Sequence, residues 1–190
     1  MASTVHWTSA DLVALPHDEW TRYEIIGGEL FVSKQPHFYH QHVCGNVYHL
    51  LQTWNARTQL GQTIFAPGLI FADDDDVVPD VAWLSNQRLV DALGSDGKLH
   101  SAPELIIEVL SPGAKNERRD REAKMRLYSR RGVREYWILD WKLQSIEVFR
   151  SKNDEFAPVL VLIKGDKLES PLLPGLSVAV DQLFIGVDPG

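Results

Sequence analysis

The sequence predicts an α/β (α+β) fold, a β-sheet with helices packed on it. Three stretches carry the prediction. Residues 103–111 are short and almost wholly apolar, bounded by Pro103 and by Ser111-Pro112-Gly113. That is the pattern of a central strand buried on both faces. Residues 39–57 repeat Val43, Val47, Leu50, Leu51 and Trp54 at helical spacing, one buried stripe. Residues 117–130 set Asp120, Lys124, Leu127 and Tyr128 on a single helical face, with Gly132 just beyond the end.

The remaining elements follow in order. Thr8 or Ser9 can cap a short helix that runs to about Leu15 and ends at Pro16. Residues 22–26 and 29–33 flank Gly27-Gly28, an N-terminal β-hairpin with a two-residue turn. Its acids, Glu24 and Glu29, read first as exposed hairpin charges. His40 lies at the inward edge of the long helix, one turn before Cys44, and reads first as a packing residue; His42 and His49 point toward solvent. Residues 63–72 and 77–84 read as two strands around Asp73-Asp74-Asp75-Asp76, a solvated turn. That run lacks the glycine and alternating ligands of a calcium loop. Ser85 caps a helix over 86–93, closed by Gly94, and Asp96-Gly97 turns the chain into the central strand. Strands follow at 135–139, 145–150 and 158–164, with turns at Asn153-Asp154 and Gly165-Asp166. Residues 177–180 form a last strand, and Asp181 caps a final helical turn. These make a C-terminal β extension.

Composition bounds the function. The 190 residues suit one domain spanning 1–190. One cysteine rules out an internal disulfide framework and fits a reducing cytoplasm. No leader and no membrane-length apolar run is visible. A net charge of −7 argues against a generally sticky nucleic-acid binder. The charge is uneven, however. Residues 115–134 hold nine basic and three acidic side chains, a local +6 against −13 elsewhere. Two readings stay open: a helix face laced with local ion pairs, or a phosphate-contacting patch built on Lys115, Arg118 and Arg119. Arg119, Arg126 and Arg130 are expected to point outward.

Chemistry centres on Glu108, a carboxylate inside the buried strand. Such a group needs a partner cation or a metal. Asp80 sits on the preceding strand, and two acids on neighbouring strands can hold a divalent ion. Oxygen-only ligands favour magnesium or manganese over zinc. No histidine pair joins cysteines at zinc spacing, so a structural zinc site is not expected. Lys124 could orient water or stabilise charge on a phosphate. The plainer alternative is a buried Glu108–Lys124 ion pair with Asp80 capping a turn.

At these residues the sequence resembles the bacterial Uma-type restriction endonucleases, within the PD-(D/E)XK nuclease superfamily. The resemblance rests on an ordered set: Pro79-Asp80; Glu108 with Val109-Leu110-Ser111-Pro112; Asp120, Lys124 and Tyr128; and Gly132-Val133-Arg134-Glu135-Tyr136-Trp137. Tyr23-Glu24 with Gly28-Glu29-Leu30, His40-Gln41 and Leu172-Leu173-Pro174-Gly175-Leu176 extend it over about residues 23–184. It implies a restriction-endonuclease-like mixed sheet flanked by helices and magnesium- or manganese-dependent cleavage of DNA. It carries over Asp80 and Glu108 as metal ligands and Lys124 as a catalytic group. The superfamily's usual lysine, two residues after the glutamate, is Leu110 here, and Lys124 on the following helix matches its replacement. Glu24, Glu29 or His40 is left to fill the position of a third acid. A homodimer is expected if both strands are cut. The competing reading is a nuclease-like module that binds nucleic acid or protein without cutting.

Overall fold

The computed structural model describes residues 5–16, 21–153 and 155–188. Helix α1, Ser9–Leu12, precedes the hairpin of β1, Arg22–Ile26, and β2, Glu29–Ser33. Gly27 and Gly28 take φ values of 57° and 76°, the left-handed turn that the glycine pair predicts. Helix α2, Phe38–Thr58, leads into β3, Gly61–Phe65; β4, Leu69–Ala72; β5, Asp75–Val77; and β6, Val81–Ser85. Helix α3, Asn86–Ala92, starts where the Ser85 side chain accepts the Arg88 amide. After β7, Leu105–Val109, comes a helical run in three parts. These are α4, Ala114–Arg118; a π-helical turn, Arg119–Lys124; and α5, Met125–Arg130. Strands β8, Glu135–Asp140; β9, Ser145–Lys152; and β10, Glu155–Leu162, form a meander. Strands β11, Lys167–Glu169, and β12, Ser177–Ala179, pair with each other before α6, Val180–Leu183. Asp181 lies inside α6 and does not cap it. Asp154, half of the predicted Asn153-Asp154 turn, lies outside the described residues.

Six strands form the main sheet in the order β10-β9-β8-β7-β6-β3. Only β7 and β8 are parallel; the other pairings are antiparallel, so the sheet is mixed. The helical run 114–130 is the crossover that a parallel pair requires. Strand alternation then divides the core. Leu105, Ile107 and Val109 of β7 pack with Val43, Val47, Leu51 and Trp54 of α2. Ile106 and Leu110 pack on the other face with Leu127 and Tyr128. Glu108 stands between Ile106 and Leu110 in that alternation, so its side chain shares the face of the second helix.

The expectation for residues 63–84 needs correction. Each of the two predicted strands is two strands, in different sheets. A bend at Ala66, with φ of 47°, and Pro67-Gly68 separate β3 from β4. Pro79, which cannot donate to a strand ladder, separates β5 from β6. Strands β4 and β5 join the hairpin in a smaller sheet, β2-β1-β5-β4. Only Asp73-Asp74 forms the turn; Asp75 and Asp76 belong to β5 and are buried.

Candidate active site

Glu108 is met from the helical crossover. Lys124 Nζ donates to Glu108 Oε1 at 2.9 Å, and the Tyr128 hydroxyl donates to the same oxygen at 2.8 Å. Lys124 Nζ is also 2.9 Å from Glu24 Oε1 and 3.9 Å from Asp120 Oδ1. Arg119 spans the same acids, 2.8 Å from Asp120 and 3.6 Å from Glu24. The Val78 amide completes Glu24 at 3.0 Å. The π-helical turn explains this convergence. A π-helix, with i→i+5 hydrogen bonds, winds less per residue than an α-helix, which brings Arg119 and Lys124 nearer to one face. α-Helical spacing turns Arg119 outward; the structure turns it inward, with its side chain only 10% exposed.

Asp80 immediately precedes β6. Extending the β6–β7 register, in which Val81 faces Ile107, sets Asp80 opposite Glu108. Its Oδ2 accepts the Val109 amide at 2.9 Å and lies 3.2 Å from His40 Nε2. Arg22 Nη1 is 3.6 Å from Oδ1. Behind His40, Nδ1 lies 3.6 Å from Cys44 Sγ and 3.3 Å from Gln41 Oε1. One helical turn of α2 thus braces Asp80 through an imidazole. Asp80, Glu108, Glu24, His40, Lys124, Arg119 and Arg22 line a common cavity.

Buried acids outnumber the buried permanent cations around this cavity. Four buried carboxylates, Glu24, Asp80, Glu108 and Asp120, face two permanent buried cations, Lys124 and Arg119, with His40 and the half-exposed Arg22 at one side. Burial pushes Glu108 up to about 8; Lys124 opposes the shift, and Asp80, Asp120 and Glu24 reinforce it. Asp120 is also raised, by burial that outweighs Lys124 and Arg119. Glu24 goes the other way. Burial opposes its ionisation, but Lys124, Arg119 and the Val78 amide together hold it below the usual range. Although Lys124 is equidistant from Glu24 and Glu108, only Glu24 has a second cation. Asp80 is held well below the carboxylate range against burial, chiefly by His40 and also by Lys124 and the Val109 amide. The same pairing raises His40 despite its burial. Lys124 is raised despite burial, by Glu108 and Glu24.

A divalent cation suits this surplus of hard oxygen donors at Asp80 and Glu108. A second donor set, His40, Cys44 and Asp80, has ligand atoms within 4.8 Å of one another. Its chemistry fits a soft metal poorly. Burial pushes the Cys44 thiol well above its ordinary pKa, and the thiolate is the ligating form. Both imidazole nitrogens already have partners.

The structure brings together Asp80, Glu108, Lys124, Glu24, His40, Asp120 and Tyr128. Glu29 stands apart: it is exposed, in a neighbouring groove with Lys115 and Arg118. Lys115 and Arg118 are exposed, and Arg118 pairs with Glu122 at 3.2 Å. Arg119 is withdrawn from that surface into the cavity. Arg22 and Lys34 also line the cavity, and sequence reasoning missed both. Strand alternation was the available signal for Arg22, two residues before Glu24 on the same face of β1. Among the described residues, no helix is long and apolar enough to cross a membrane.

No curated protein matches the chain. A crystal structure described as a putative nuclease belonging to DUF820, from Anabaena variabilis, superposes with a TM-score of 0.71 at 17% identity. The match covers 93% of this chain and 97% of that one, and shows a common fold. The type IIG restriction endonuclease BpuSI gives a TM-score of 0.39 at 15% identity, over 77% of this chain and 15% of that one. Residues 9–181 match the Uma2 family, described as putative restriction endonuclease, and with nearly the whole chain matched the protein belongs to that family.

Proposed function

We propose that the protein is a metal-dependent endonuclease that hydrolyses phosphodiester bonds in DNA, with Asp80 and Glu108 holding magnesium or manganese. One observation carries the reading: Asp80, just before β6, and Glu108, on the neighbouring β7, share a cavity in which buried acids outnumber buried cations. When bound, the ion supplies Lewis acidity toward a phosphoryl oxygen and makes water more acidic. The chain's own residues do the positioning. Tyr128 and Lys124 fix Glu108, and His40 and the Val109 amide fix Asp80. Lys124 stays protonated and presents positive charge where a phosphate gains negative charge. It takes the part of the lysine that Leu110 does not provide. Glu24 and Asp120 hold Lys124 and Arg119 in place.

The test is incubation with supercoiled, linear, branched and single-stranded DNA, with and without magnesium or manganese. Asp80→Asn and Glu108→Gln should each lose divalent binding by calorimetry and lower cleavage by about a hundredfold or more, while circular dichroism stays native. Unchanged metal affinity in both variants would remove them from the site. One observation favours the alternative of a non-cutting binding module: Lys124 is almost wholly buried and already shared between two carboxylates. A site of that kind has no need of a metal, so absence of divalent binding by the parent protein would support it.

A further inference from the structure

We propose that Arg22 is the cavity's replaceable cation: it competes with the divalent ion for Asp80 Oδ1 and, once displaced, holds a phosphate of the DNA. The inference rests on the nuclease reading and adds a residue that sets how tightly ion and DNA are held.

The first observation is how the oxygens of the two acids are shared. Asp80 Oδ2 is taken by the Val109 amide at 2.9 Å and by His40 Nε2 at 3.2 Å. Glu108 Oε1 is taken by Lys124 at 2.9 Å and by Tyr128 at 2.8 Å. Each carboxylate is thus anchored through one oxygen. Among the described residues, Glu108 Oε2 accepts no hydrogen bond, and Asp80 Oδ1 meets only Arg22 Nη1, at 3.6 Å. These two oxygens are the ones left for a cation, and Arg22 stands at one of them. Asp80 keeps both of its anchors when Arg22 leaves.

The second observation is how loosely Arg22 is held. Lys124 and Arg119 have carboxylate contacts of 2.9 Å and 2.8 Å, and their side chains are 1% and 10% exposed. The Arg22 side chain is 39% exposed, and its contacts are long: 3.6 Å to Asp80 and 3.5 Å to the Val78 carbonyl oxygen. A half-hydrated pair at that distance contributes little. A carboxylate attracts a divalent charge more strongly than a single one. Arg22 can therefore give way without leaving a buried charge unpaired, as Lys124 and Arg119 cannot.

Position is the third. Arg22 opens β1 and pairs with Ser33 across the hairpin, and Ser33 and Lys34 line the cavity beside it. A guanidinium freed from Asp80 stays next to Lys34, and its planar fork suits a phosphate.

Calorimetry with magnesium and anisotropy with a labelled oligonucleotide duplex test this. Arg22→Gln keeps the reach of the side chain and removes its charge. It should bind magnesium about tenfold tighter than the parent. Lys34 is exposed and has no contact with Asp80 among the described residues. Lys34→Gln should therefore stay within about twofold of the parent, its charge being screened by solvent. Duplex binding is read in calcium, with the strands checked intact on a gel, and Arg22→Gln should weaken it by about tenfold. Circular dichroism should stay native in both variants. Magnesium affinity in Arg22→Gln equal to or below the parent's, equal tightening in Lys34→Gln, or parent-like DNA binding by Arg22→Gln would overturn the proposal. Cleavage by the parent is read separately, with magnesium. Tighter magnesium and weaker DNA binding in Arg22→Gln, with no cutting by the parent, removes the nuclease reading and leaves this one. Cutting by the parent with unchanged magnesium affinity in Arg22→Gln removes this one and leaves the nuclease reading.

Discussion

The crossover 114–130 and the residue after it feed two buried charge clusters, and the two are built to opposite balance. Asp75, on β5, receives Arg130 at 3.0 Å, Arg131 at 2.6 Å and the Gly27 amide at 2.8 Å. One carboxylate meets two guanidinium groups that still reach solvent. Every need of Asp75 is met, and the cluster ties α5 to the small sheet. A few turns earlier, Lys124 and Arg119 stand among four buried carboxylates, and need remains. A buried acid alone therefore identifies nothing. A buried acid whose neighbours leave it short of positive charge marks the place where a cation is wanted.

The contrast can be broken most forcefully at Lys124. Lys124→Met removes the main cation from Glu24 and Glu108 and should cost about 3–5 kcal/mol of stability at neutral pH, read by urea unfolding. Part of the loss should return in acid, as Glu24, which Lys124 helps to hold ionised, takes up a proton. Parent-like stability would show that Lys124 is not the counter-ion.

The pH response is the next largest effect. Glu108 has a folded pKa of about 8, above its ordinary value, so the folded protein keeps a proton that the unfolded chain has released. Its contribution to metal-free stability is complete below the ordinary carboxylate range and is lost as pH rises through about 8. Asp80 has the opposite sign. Its depressed pKa gives stability above the ordinary range that is lost as pH falls through the lowered value. Thermal melts in chelator should show the alkaline decline in the parent and not in Glu108→Gln. Divalent affinity should climb with pH up to about 8, because the cation displaces a proton; a flat profile would refute a protonated Glu108.

Asp75→Ala should cost less, about 1–3 kcal/mol, because its arginines can turn to water. Divalent affinity should stay at the parent level; a fall would show that the two clusters are one unit. Smallest of all is the surface pair. Lys115→Ala with Arg118→Ala should change stability by under about 0.5 kcal/mol. If both groups contact phosphate, the salt dependence of DNA binding should flatten by roughly 0.7–0.9 per contact; identical slopes would leave them as solvated charges.

Glu108 was legible because a carboxylate in an apolar strand contradicts its surroundings. Lys124 and Tyr128 were legible because they share a helical face with Leu127. Glu24 was harder. Alternation shows that it shares a face with Arg22 and Ile26, but not which face of a hairpin another layer will cover. Arg119 was misplaced because α-helical spacing fails across a π-helical turn, and nothing local in Arg119-Asp120-Arg121-Glu122-Ala123-Lys124 announces that turn. Asp75 and Asp76 were misplaced for a different reason. A run of like charges favours water unless distant cations arrive, and Arg130 and Arg131 are more than fifty residues away.

The crossing of the chain from the large sheet to the small one and back, between β3 and β6, has a consequence in time. The cavity draws on residues 22, 24, 40, 80, 108, 119 and 124, so no local segment contains it. Contacts so distant in sequence close late, because their loop entropy must be met before they contribute. Until both sheets and the crossover have docked, Glu108 and Asp80 are ordinary solvated acids with ordinary affinity for protons and ions. Site assembly therefore coincides with completion of the topology, and a chain still folding carries none of the cavity's chemistry.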